Sequence, residues 1–152
     1  MDGFTFRQAQ YFPQPPEELF PFFASAENLN RITPPWLHFS ITSELPRVIE
    51  EGSLIDYALR LHGFPVKWRS RISDWRPPYE FTDSQLRGPF RKWVHHHQLI
   101  RQDNGTLMVD TVDYEVPGGP LAPLVNKLYV SRDVSRIFAY RRQVLSTIFG
   151  GS

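Results

Sequence analysis

Residues 91–121 read RKWVHHHQLIRQDNGTLMVDTVDYEVPGGPL, and the hydrophobic period changes completely within them. Arg91–Arg101 and Thr106–Val116 alternate in character, as strands do when successive side chains face opposite ways. Asp103-Asn104-Gly105 separates the two runs, and Asn-Gly at such a junction predicts a hairpin. Trp93, His95, His97 and Leu99 then share one face, matched across the hairpin by Met108, Asp110, Val112 and Tyr114. Pro117-Gly118-Gly119-Pro120 breaks the sheet pattern, and Leu121 to Phe149 reads as one long helix. At about 3.6 residues per turn, Leu124, Leu128, Val134, Phe138, Leu145 and Phe149 fall on one side. Val130, Ile137, Val144 and Ile148 widen that stripe, while Arg132, Asp133, Arg136 and Gln143 occupy the opposite wedge. So broad an apolar stripe suits a helix lying in the concavity of a curved sheet.

Working outward, Phe4 to Phe12 predicts a first strand, with Phe4, Phe6 and Phe12 on one face. Pro15-Pro16-Glu17-Glu18 has the composition of a helix start, since Pro tolerates the first turn and acids favour its dipole. Pro21 removes a backbone donor, so that helix is expected to be short or to begin late. A second short helix is expected over Ala26–Ile32, ending before Pro34-Pro35. Period two then returns. Leu37, Phe39 and Ile41 alternate with polar neighbours, as do Ile55, Tyr57, Leu59 and Leu61. After a corner at Gly63-Phe64-Pro65, Trp68, Ser70 and Ile72 alternate with Lys67, Arg69 and Arg71. Beyond Pro77-Pro78, Phe81, Asp83 and Gln85 share a face, and Gly88-Pro89 turns the chain into the hairpin described above. The result is a single α+β domain over residues 1–152, an antiparallel meander closed by a helix.

Composition narrows the function classes. A net charge of +1 supplies no field for nucleic acid, so no nucleic-acid partner is expected. The basic run Lys67, Arg69, Arg71 faces away from the aromatic residues of its strand, which argues against a stacking platform for single strands. Cysteine is absent, excluding disulfides, thiolate ligands and thiol nucleophiles. Met1–Phe12 lacks the continuous apolar run of a signal peptide, and no stretch is long enough to span a membrane. A soluble cytoplasmic protein is the expectation.

The spaced positions Gly63, Pro65, Trp68, Ile72, Trp75, Pro77-Pro78, Phe81, Asp83, Gln85 and Gly88-Pro89 carry a resemblance. It continues through Trp93, His95, His97, Gly105-Thr106, Asp110, Tyr114, Pro117, Gly119-Pro120-Leu121 and Arg136-Ile-Phe-Ala-Tyr-Arg141. Over nearly its whole length the chain resembles the START/Bet v 1-like (SRPBCC) superfamily, in its bacterial polyketide cyclase/dehydrase-like branch. That resemblance implies a helix-grip fold, in which a curved sheet wraps a long C-terminal helix around a hydrophobic cavity. It also implies a range of activities, because members include lipid carriers, receptors and cyclases.

The residues that could carry chemistry are few. His95 and His97 share a face, and Asp110 falls opposite or diagonal to His97 in either hairpin register, with Gln85 placed to join from the preceding strand. Three readings apply: a hydrogen-bonded patch that fixes register, a ligand-orienting floor, or a general acid–base group of His95, His97 and Asp110. No metal is expected, because His-x-His plus Asp110 resembles no specific zinc motif, and no cofactor motif is present. Tyr57, Trp68, Trp93, Tyr114 and Phe138 are expected to wall the cavity. Arg141 falls inside the apolar stripe, so its guanidinium either reaches back to solvent or a sheet-edge carbonyl, or anchors an anionic ligand group at the mouth. The expected role is binding of a small aromatic or lipid-like molecule. The alternatives are a cyclase or hydratase, or an interaction module whose core is filled.

Overall fold

A computed structural model describes residues 3–44 and 49–151. Seven antiparallel strands form one sheet in the order β1-β7-β6-β5-β4-β3-β2. They are β1 (Gly3–Phe12), β2 (Ser40–Ile41), β3 (Leu54–Leu61), β4 (Phe64–Arg76), β5 (Glu80–Arg87), β6 (Lys92–Gln102) and β7 (Gly105–Glu115). Between β1 and β2 lie α1 (Pro16–Phe23), α2 (Glu27–Ile32) and a 3-10 turn, Pro35–Leu37. The C-terminal helix runs through α3 (Ala122–Val125), a π-helical turn (Asn126–Val130) and α4 (Ser131–Phe149). This is the helix-grip architecture.

Local chemistry accounts for most boundaries. Helix α1 begins at Pro16 with Glu17 and Glu18 in its first turn, and spans only eight residues around Pro21. Its buried Leu19, Phe20 and Phe23 tie it to the sheet. The β3–β4 hairpin turns on His62-Gly63, both in the left-handed region (φ 51 and 82), so the corner lies one residue ahead of the expected Gly63-Phe64-Pro65. Gln102 pairs with Gly105, which makes Asp103-Asn104 the two-residue turn and places Gly105 inside β7. A Cβ on Gly105 would collide with the Phe12 carbonyl, so glycine here serves the close approach of β1 rather than the turn. Register shifts along β4 at Arg69/Ser70 and Ser73/Arg76 mark irregularities of the kind that bend and twist a sheet.

Two sequence expectations are corrected. Leu37, Phe39 and Ile41 do not form one strand: Pro35–Leu37 is a 3-10 turn, His38 is left-handed (φ 48), and β2 keeps only Ser40–Ile41. The paired prolines favour a tight turn over an extended run, and the Leu37 side chain is buried from that turn. In the C-terminal helix, Val134, Phe138, Arg141 and Leu145 are the buried stripe of α4, but Leu124 and Leu128 are exposed at 53% and 47%. The π turn at Asn126–Val130 holds an extra residue, which rotates everything upstream by about 100° relative to α4. Ala122 is therefore the residue of α3 that packs on Val112, Tyr114 and Val116.

Candidate functional site

Sheet curvature leaves a cavity of about 220 Å³ between the concave face, α2 and α4. The alternation of β3, β4 and β6 sends Tyr57, Trp68 and Trp93 into it, and Phe81, Phe90 and Phe138 complete an aromatic lining. Tyr57 stacks on Trp68 with ring centroids 5.8 Å apart, and Trp68 meets Trp93 edge-on at 5.5 Å. Tyr114 lies on the same concave face, 6.1 Å from Trp93, but outside the cavity lining. Its hydroxyl donates to Asn126 Oδ1 at 2.7 Å, so it packs beneath the π turn. An interior filled by side chains, one of the sequence alternatives, does not describe this molecule.

The deep end of the cavity is polar. His97 and Asp110 are directly opposed across β6 and β7, while Asp83 opposes His95 across β5 and β6. The two imidazoles stack 3.6 Å apart, sandwiched between the two carboxylates. On one side His95 Nε2 is 2.8 Å from Asp110 Oδ1 and His97 Nδ1 is 3.4 Å from the same oxygen. On the other, His95 Nδ1 and His97 Nε2 lie 4.0 and 3.9 Å from Asp83 Oδ2. Ser70 donates to the second oxygen of Asp83 at 2.9 Å. Its own oxygen accepts from the Trp68 indole and Tyr57 hydroxyl, each at 3.0 Å. That chain aims Oδ2 of Asp83 at the imidazoles.

Arg141 neither reaches solvent nor stands at the cavity mouth. It is 7% exposed, and Nη2 donates to Asp110 Oδ1 at 3.3 Å and also contacts His97 Nδ1 at 3.4 Å. The rings of Phe23 and Phe138 flank its guanidinium at 5.5 and 5.8 Å. A buried carboxylate on the facing sheet draws the side chain inward, because a charge-assisted bond in a low dielectric outweighs reaching for water. Gln85 also departs from expectation. It braces the β5–β6 connection, donating to the Phe90 carbonyl (2.7 Å) and accepting from the Phe90 amide (3.1 Å). Its contribution is to hold Phe90 over the cavity.

The electrostatics follow from burial and these contacts. Burial alone would raise the carboxyl of Asp110, but the Arg141 charge, the His95 hydrogen bond and the imidazoles outweigh it and hold the group well below the usual carboxylate range. For Asp83 burial wins over His95, Ser70 and Arg141, and its pKa is raised. Burial, then the charges of His95 and Arg141, push His97 well below the ordinary imidazole value, so its ring is neutral at pH 7. Nε2 of His97 and Nε of Arg141 are buried with no hydrogen-bond partner.

Asp83 and Ser70 are the members that sequence reasoning left out of the site. Alternation with Phe81 put Asp83 on the inward face. Its opposition to His95 depends on the length and path of the Gly88–Arg91 connection, which no periodicity reports.

Fold and site together define a helix-grip domain with an open aromatic cavity and a charged, hydrogen-bonded floor. The chain belongs to the polyketide cyclase/dehydrase and lipid transport family, whose profile matches residues 12–138. Its fold is similar to that of a protein from Thermus thermophilus (19% identity, 94% of this chain and 98% of that one, TM-score 0.69). It is also similar to a major latex-like protein of Panax ginseng (16%, 88% and 96%, TM-score 0.58). A third likeness is to the di-domain ARO/CYC StfQ of the steffimycin biosynthetic pathway (12%, 93% and 49%, TM-score 0.70). No curated protein matches the sequence. Among the described residues no helix is long and apolar enough to cross a membrane.

Proposed function

We propose that the cavity binds a small molecule with an aromatic or otherwise apolar body and one hydroxyl-bearing end. The observation that carries this reading is the orphaned Nε2 of His97, a residue that lines the cavity, buried 3.9 Å from Asp83 Oδ2. That gap is too wide for a direct hydrogen bond and suits one interposed oxygen. With Nδ1 of His97 accepting from Arg141, the proton sits on Nε2. A ligand hydroxyl would accept from Nε2 and donate to Asp83, relieving a buried unsatisfied donor that costs about 1–3 kcal/mol. The aromatic lining matches a flat apolar body.

The test compares naphthalene with 2-naphthol by displacement of a fluorescent hydrophobic probe. Naphthol should bind at least about tenfold tighter, roughly 1.4 kcal/mol, and the preference should shrink in Asp83→Ala. Equal affinities in the wild-type protein would remove the polar floor from recognition.

A second reading is favoured by one observation. Asp83, raised by burial, and His97, kept neutral, could exchange a proton with a bound ligand through the same oxygen. In that reading the His95/His97/Asp110 group considered for cyclase or hydratase chemistry gains Asp83 as its acid. Asp110 becomes the positioning residue behind both rings. Turnover that collapses in Asp83→Asn while naphthol affinity persists would select it over simple binding.

A further inference from the structure

We propose that Asp83, His95 and His97 form a binding site for one divalent transition-metal ion, with Zn²⁺ as the natural fit. The sequence led to an expectation of no metal, because His-x-His plus one carboxylate, there Asp110, resembles no specific zinc motif. Asp110 instead lies behind the rings, where it meets Nε2 of His95 and Nδ1 of His97. The front nitrogens, Nδ1 of His95 and Nε2 of His97, both turn toward Asp83.

One ligand atom from each of Asp83, His95 and His97 lies within 4.8 Å of the others. Two of the three sides are short: Nδ1 of His95 and Nε2 of His97 lie 4.0 and 3.9 Å from one Asp83 oxygen. Rotation of the side chains, with the stacked imidazoles swinging until both ring planes meet the ion, would set it at the roughly 2.0–2.2 Å of nitrogen and carboxylate ligands. Among the described residues no side chain occupies that position, since Nε2 of His97 has no partner and Ser70 bonds only the far oxygen of Asp83, and the ion would take the place of the interposed hydroxyl.

The surroundings have the form that metal-binding histidines require. Each ligating imidazole needs its other nitrogen to donate to an acceptor, which fixes the ring and the tautomer. Asp110 supplies that acceptor for both rings at once. His95 Nε2 is already hydrogen-bonded to it, and His97 would take the required tautomer by moving its proton from Nε2 to Nδ1, with Arg141 giving up its contact to Nδ1 and keeping its bond to Asp110. Arg141 neutralises Asp110, which leaves the Asp83 carboxylate to balance the ion. Two imidazoles and one carboxylate leave coordination positions open toward the aromatic cavity. A ligand oxygen would take one of them. The site stands independently of the ligand reading, because the same three atoms converge whether or not the cavity is filled.

The experiment titrates chelator-treated protein with Co²⁺, followed by calorimetry and visible absorption, then displaces it with Zn²⁺. The expected result is one ion per chain. Kd should rise at least tenfold in Asp83→Asn and in His97→Ala, about 10–100-fold in Asp110→Asn, and stay unchanged in the exposed His38→Ala and His62→Ala. Asp83→Glu, which keeps a carboxylate, should retain the cobalt absorption. No saturable uptake, a Kd indifferent to Asp83→Asn, or loss of binding in either exposed-histidine variant would overturn the proposal. Melting curves without metal establish folding, and should His97→Ala fail to fold, the contrast between Asp83→Asn and Asp83→Glu decides. Naphthol selectivity that persists with no metal uptake would sink this site and leave the ligand reading standing.

Discussion

Replacing Arg141 with methionine tests the electrostatic account of the floor most directly. The guanidinium and the Asp110 carboxylate have 8% and 6% of their side-chain surface exposed, so solvent screens the pair little. Methionine retains the stem packing against Phe23 and Phe138 but removes the charge. Asp110 then keeps one short contact, to His95 at 2.8 Å, and a longer one to His97 at 3.4 Å. Breaking a buried pair from one side costs about 3–5 kcal/mol, and the surviving His95 bond places this site near the lower figure. The pH dependence carries the sign. In the wild-type protein the folded Asp110 is depressed, so its stabilisation is present above the unfolded value of about 3.9 and is lost as pH falls through the folded value. Without Arg141 the folded pKa rises, because the largest influence opposing burial is gone, so the stabilisation that ionised Asp110 provides shrinks. The deficit is therefore largest at pH 7 and somewhat smaller at pH 4, where the unfolded carboxyl is already part-protonated. Urea unfolding of both proteins at the two pH values measures it, and Arg141→Met/Asp110→Leu should recover much of the loss at pH 7. A deficit larger at pH 4 than at pH 7, or one below about 1 kcal/mol at pH 7, would refute the reasoning.

Other substitutions probe the fold that supports the site. Leu145→Ala, at a residue 1% exposed in the core, should cost about 2–5 kcal/mol by urea unfolding. Leu128→Lys, on the exposed side of the π turn, should stay within about 0.5 kcal/mol in the same assay. A large loss at Leu128 would mean that the helix keeps one phase through Asn126–Val130, with no π turn. Gly105→Ala should destabilise by about 2 kcal/mol or more, since its Cβ meets the fixed Phe12 carbonyl, and a thermal melt reads this without reference to the cavity.

The buried floor has a physical consequence for any ligand. Ionisable side chains from three strands and one helix meet where water is scarce, and each is positioned by another: Asp83 by Ser70, both histidines by Asp110, and Asp110 by Arg141. A polar group entering the cavity meets atoms already oriented, so little reorganisation is needed to bind it.

Alternation in the sequence determined which face each side chain takes, because period two in a strand leaves no freedom once one residue is known to point inward. Trp93, His95 and His97 were legible as one row for that reason, and His97 opposite Asp110 was legible because two adjacent strands share a short turn. Breakers and stripe width likewise announced a long helix after Pro120. Contacts between elements joined by longer or irregular connections were not legible. Asp83 meets His95 only through the path of Gly88–Arg91, which Gln85 braces, so the third member of the cluster came from tertiary structure. The exposure of Leu124 and Leu128 needed one inserted residue in the helix, a change of phase that a 3.6-residue projection cannot contain. Arg141 looked like a cation forced out of an apolar stripe. Only the folded chain sets the Asp110 carboxylate against it, and that pairing turns a charge inward that the sequence alone would send to water.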